Sequence, residues 1–129
     1  MANEERKLLE EARRIVHYLA RDRDDPKTSI VAMHLVRDLD EIAVVLEKVG
    51  QKKGATITRK TAAARKRLAE DAEILTEVMK DSPKYSNTDF KCLDDYDKCR
   101  RHRGKYNLFC ILSYIVCIGR RIIPLVPHT

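Results

Sequence analysis

Tryptophan is absent from this chain, and glycine and proline number only four each. That scarcity, set against abundant Ala, Leu, Glu, Lys and Arg, favours helix over sheet. The glycines, Gly50, Gly54, Gly104 and Gly119, form no phosphate-cradling loop. No C-x-x-C occurs, which argues against a redox-active dithiol. H-E-x-x-H is also missing, and no glutamate lies three residues before any histidine, so the di-iron bundle pattern fails. No apolar run approaches the roughly 20 residues of a membrane span. The most apolar stretch, Leu108 to Gly119, is closed by Arg120 and Arg121. Beyond it Ile122-Ile123-Pro124-Leu125-Val126 stays apolar, but Pro124 breaks the helix. The N-terminus is charged and shows no signal-peptide core, from which a cytoplasmic protein is expected.

What the chain does have is four cysteines in two pairs of equal spacing, Cys92 with Cys99 and Cys110 with Cys117. Residues i and i+7 lie two turns apart on nearly one helix face. Folding back at Gly104 sets Cys99 opposite Cys110 and Cys92 opposite Cys117. Nested disulfides need Cα separations of roughly 4.4–6.8 Å, which closely packed antiparallel helices reach only at well-chosen positions. Four cysteines allow three connectivities, and the nested one is the expectation. Two other uses stand beside it. The cysteines fit as free, small core residues, since both pairs occupy apolar positions. Alternatively, Cys99 and His102 at i, i+3 could join Cys92 and Cys110 around zinc, although structural zinc uses tighter spacing. Bridged cysteines imply an oxidising or extracellular setting, in conflict with the missing signal peptide. Reduced cytosolic thiols reconcile the two most simply.

Hydrophobic periodicity predicts five helices and hence an all-α bundle. The first spans about 4–22, with Leu8, Ala12, Ile15, Val16 and Leu19 inward, and ends at Asp24-Asp25-Pro26. The second starts near Thr28 or Ser29 as N-cap and runs to Gly50. Its stripe is Ala32, Leu35, Val36, Leu39, Ile42, Ala43, Leu46 and Val49. The third covers about 57–80, with Ile57, Ala64, Leu68, Ala72, Leu75 and Met79 inward. The fourth (88–103) and fifth (105–122) form an antiparallel C-terminal hairpin. The fifth is apolar nearly all round and needs partners on several sides. One domain over 1–129 is expected. It comprises a three-helix unit (1–81), a polar linker (82–88), the cysteine-paired hairpin (89–123) with its fifth helix central, and a tail (124–129).

Charge is uneven. Between residues 52 and 67 lie Lys52, Lys53, Arg59, Lys60, Arg65, Lys66 and Arg67 with no acidic residue among them. Lys98, Arg100, Arg101, His102, Arg103 and Lys105 surround the hairpin turn, and the net charge is +6. Both clusters are candidate anion sites. The third helix is basic in its first half and acidic in its second (Glu70, Asp71, Glu73, Glu77), against the helix dipole. Pairing with a parallel first helix would compensate, placing Glu4, Glu5, Glu10 and Glu11 beside the basic half and Arg21 and Arg23 near the acidic half. That leaves the 52–53 loop and the hairpin tip as the better anion sites. Only Tyr106 and Phe109 lie near the second cluster, so base stacking is poorly supported, and binding would be to phosphate. Asp94 and Asp97 share a face and could hold a cation, but the run reads more simply as a solvated helix start.

No catalytic residues, cofactor or metal are expected. The functional expectation is a non-enzymatic helical interaction protein with a protein partner: an adaptor, inhibitor or immunity-type factor. The alternatives are a module binding RNA or DNA phosphates, or a secreted disulfide-stapled effector. The sequence gives no oligomeric state.

Overall fold

The computed structural model describes residues 3–49, 59–85 and 91–122. Within them the chain forms five α-helices: α1 (Asn3–Ala20), α2 (Pro26–Val49), α3 (Ala62–Lys80), α4 (Lys91–Arg103) and α5 (Leu108–Ile122). The expected all-α architecture is what the chain adopts. Three helix starts differ from those that periodicity predicts, α3 beginning at Ala62 behind Thr61 rather than near 57. Asp25, which reads as a stop for α1, is the N-cap of α2. Its carboxylate accepts from the Thr28 N–H at 3.2 Å and from the Thr28 hydroxyl at 2.9 Å. Pro26 then takes the first helical position, where its missing N–H is no loss. Likewise α5 starts at Leu108 rather than at 105. The Asn107 side chain caps it, accepting from the Cys110 N–H at 3.2 Å. The expectations for Gly50, Lys52, Lys53 and Ile57 and for the 124–129 tail lie outside the described residues.

The helices close a ring. α2 packs between α1 and α3, while α5 packs on both α1 and α3 and also carries α4. The first and third helices therefore do not adjoin, and the expected charge pairing between them does not form. Apolar α5 occupies the space between them. Its side chains Ile111, Leu112, Ile115 and Val116 are all but completely buried, at roughly 1.5–3 kcal/mol of hydrophobic stabilisation each. Against α1 the approach is close at Gly119, where an added Cβ would collide with Ile15 Cδ1 and fall 2.6 Å from its Cγ1. On the α3 side the Tyr114 hydroxyl bonds to Thr76, whose own hydroxyl also reaches the Ala72 carbonyl at 3.1 Å.

The hairpin is pinned twice. Cys92–Cys117 and Cys99–Cys110 are disulfides, with Cα separations of 5.9 and 5.6 Å. The nested pairing is the connectivity formed, and it takes the thiolates that a zinc site would have needed. Gly104 permits the reversal: its φ of +116° belongs to the left-handed region that glycine enters freely. Its N–H closes α4 on the Arg100 carbonyl at 2.9 Å, as at many helix ends. Tyr96 of α4 stacks on Tyr114 of α5 with centroids 4.5 Å apart, so α4 also adheres through an aromatic pair.

At the other end of the bundle, segment 82–85 docks on the turn between α1 and α2. Ser82 donates to Asp25 at 2.5 Å, Lys84 reaches Asp22 at 2.9 Å, and the Tyr85 hydroxyl also donates to Asp22. Burial works against the Asp22 charge, but these donors outweigh it and hold the carboxyl below its usual range, since hydrogen bonds to the charged form favour it.

Candidate anion-binding surface

The two basic clusters are far apart in sequence, yet the fold draws parts of both to one end. The link is Arg65, in the first turn of α3. Its Nη1 donates to the Tyr106 carbonyl of the hairpin turn at 2.6 Å, while Nε donates to the Thr61 hydroxyl at 3.1 Å. Half-buried there, Arg65 has its pKa pushed down by desolvation, and it serves as a strut. Around it Arg59 and Lys60 are exposed just ahead of α3, Lys66 is exposed within it, and Arg103 and Lys105 are exposed at the hairpin tip. The tip cations lie over rings: Arg103 is 4.5 Å from the Phe109 centroid and Lys105 is 5.5 Å from that of Tyr106. Such cation–π contacts steady the side chains and leave their charges open to solvent.

Other members of the clusters are turned to internal partners. Arg67 bridges to α2, 2.6 Å from Glu41 and 3.6 Å from Asp38, which raises its pKa. Arg100 lies 2.7 Å from Glu73 and 2.6 Å from Asp97 and faces the Tyr96 ring. Burial opposes its charge, and Glu73 and Asp97 outweigh that. Arg101 donates to the Asp97 carbonyl at 3.2 Å while staying exposed. Because Asp97 is engaged by Arg100, the Asp94/Asp97 pair does not offer two open carboxylates. What remains outward is a basic end of Arg59, Lys60, Lys66, Arg101, Arg103 and Lys105. Its cations would attract a polyanion.

Two surfaces were not legible as sites. One is an open groove of about 990 Å³ along α1, whose lining includes Glu10, Arg13, Arg14, His17, Arg21 and Asp24. Both signs of charge line it, and Arg13 is held by Asp40 at 2.9 Å. The i, i+3, i+7 spacing of Arg14, His17 and Arg21 could have signalled this stripe. The other surface is a smaller groove between α3 and α4. No sequence pattern could have joined residues from those two helices before the fold was known.

A buried acid lies away from both. Asp38 is 3% exposed between α2 and α3, and among the described residues its Oδ2 meets no donor. Burial, and the neighbouring Asp71 carboxyl, raise its pKa to about 7, because both disfavour the charged form. No protein family, curated protein or solved structure matches the chain.

Proposed function

We infer that the chain is a non-enzymatic, disulfide-stapled helical binding protein whose basic end engages the phosphates of RNA or DNA. The observation that carries this reading is the Arg65–Tyr106 bond, which joins two distant basic clusters into one exposed surface. Binding there is to the backbone, weakly selective for sequence and strongly dependent on salt. The test is fluorescence anisotropy with labelled single- and double-stranded oligonucleotides across a salt series. Each phosphate contact contributes about 0.9 to the log–log salt slope on duplex DNA. Changing Lys66, Arg103 and Lys105 together to Glu should abolish binding and leave the helical circular dichroism unchanged. Undetectable binding of the parent protein at low salt would refute the reading. Two disulfides further suit an oxidising compartment, where such bonds persist.

A second reading, a protein partner, is favoured by a separate observation. Ile30 and Met33 are 57% and 59% exposed, and with exposed Val44 they follow one outward stripe of α2. Exposed apolar side chains on one helix face offer a candidate contact surface for a partner. A photo-crosslinking residue at position 33 in cells of the native source should give a discrete protein adduct that Ile30→Glu eliminates. Adducts no more frequent than from a control position at Lys7 would count against it.

A further inference from the structure

The acidic second half of α3 runs against its helix dipole, and the fold compensates it only in part. Glu73 has Arg100 at 2.7 Å. Glu77 has Lys80 at 3.9 Å, within its own helix. Glu70 is exposed and has no ion-pair partner among the described residues. These carboxylates edge a groove of about 590 Å³ between α3 and α4, whose apolar lining is Ile74, Val78 and Leu93. Ile74 is 49% exposed in the midst of them. Along α3 the acids Glu70, Glu73 and Glu77 and the apolar Ile74 and Val78 recur at helical spacing, making an apolar strip with an anionic margin.

We propose that this groove is a docking site for a cationic amphipathic segment of another protein. The segment sets its apolar stripe on Ile74, Val78 and Leu93, and its lysines or arginines meet Glu70 and Glu77. Charge complementarity selects this occupant: the carboxylates repel nucleic acid and favour a basic helix. The mode is an amphipathic helix laid into a groove, with apolar anchors at i, i+3 or i+4. Neither the basic end nor the outer face of α2 takes part, so the site is separate from those of both functional readings.

The test uses the full oxidised chain and two labelled peptides of identical leucine and lysine composition. One is patterned as an amphipathic helix, and the other is scrambled to remove the stripe. By anisotropy at physiological salt, the patterned peptide should bind at least about tenfold more tightly than the scrambled one, as expected where apolar anchors carry the contact. Ile74→Asn should weaken it about tenfold, and Glu70→Lys with Glu77→Lys should weaken it and flatten its salt dependence. All three positions are surface positions, so unchanged circular dichroism separates lost docking from lost folding. The Lys66, Arg103 and Lys105 reversal should leave peptide binding intact, which keeps this test separate from that of the basic end. Equal affinity for both peptides would overturn the proposal. So would self-association in sedimentation equilibrium that Ile74→Asn eliminates, because the occupant would then be a second copy of this chain.

Discussion

Asparagine in place of Asp38 should stabilise the protein, and the gain should grow with pH. The carboxyl is buried between α2 and α3 and faces Asp71 and Arg67 of α3 and Glu41 of its own helix, which together with burial set its pKa at about 7. An unfolded aspartate ionises near pH 3.9. From about pH 4 to pH 7 the unfolded chain therefore loses this proton while the folded chain keeps it. Over that window stability falls as pH rises, and above it the loss is complete. A shift of about three pKa units corresponds to roughly 4 kcal/mol at 1.36 kcal/mol per unit. Relaxation of the site and the partly exposed Arg67 reduce this, so the expected gain for Asp38→Asn is ~1–3 kcal/mol at pH 8. Arg67 keeps Glu41 at 2.6 Å and is not orphaned. Urea unfolding of both proteins at pH 4.5, 6 and 8, disulfides intact, measures the difference directly. Comparing variant with parent cancels the other carboxylates, including Asp22 and Asp25, whose lowered pKa values act in the opposite sense. A difference that is flat with pH, or that shrinks as pH rises, would refute the reasoning.

Three further substitutions probe the packing. Gly119→Ala places a methyl against Ile15. It should destabilise by ~1–3 kcal/mol despite alanine's better helix propensity, and Ile15→Val in the same chain should recover part of the loss in thermal melts. Tyr114→Phe keeps the ring stacked on Tyr96 and removes one hydroxyl. Thr76 retains the Ala72 carbonyl. The cost in urea titrations should therefore be only about 0.5–1.5 kcal/mol, the net worth of one hydrogen bond. Asp25→Ala removes the α2 N-cap and the Ser82 contact. Loss of a cap of this kind should cost about 1–2 kcal/mol at neutral pH. Burial raises the Asp25 pKa, but donors from Ser82 and Thr28 outweigh it and lower the value. The cost should shrink as pH falls through that lowered pKa, as chemical denaturation in acid will show.

Helix number, the inward stripes and the nested cysteines were legible because each rests on local periodicity. Leu35, Leu39 and Ile42 are buried because helical spacing left them no other face. Asp25 was ambiguous, because Asp-Pro signals both a helix end and, one residue later, a helix start. Its cap contact with Thr28 decides between them. The charge pattern of α3 was visible as an anomaly, but its partners were not. Those partners depend on which helix adjoins α3, and α5 intervenes between α1 and α3. In the same way, neither basic cluster showed that Arg65 would reach across to Tyr106. Asp38 looked like one more polar residue on α2, since burial of a side chain at the edge of an apolar stripe follows from packing alone.

The arrangement of the whole molecule depends on α5 being delivered into the ring by a hairpin closed at two points. Peptide mapping by mass spectrometry, on protein alkylated at harvest and digested without reductant, tests that most directly. The predicted result is Cys92 linked to Cys117 and Cys99 linked to Cys110, with no alkylated cysteine. Four alkylated thiols, or Cys92 linked to Cys110, would contradict it.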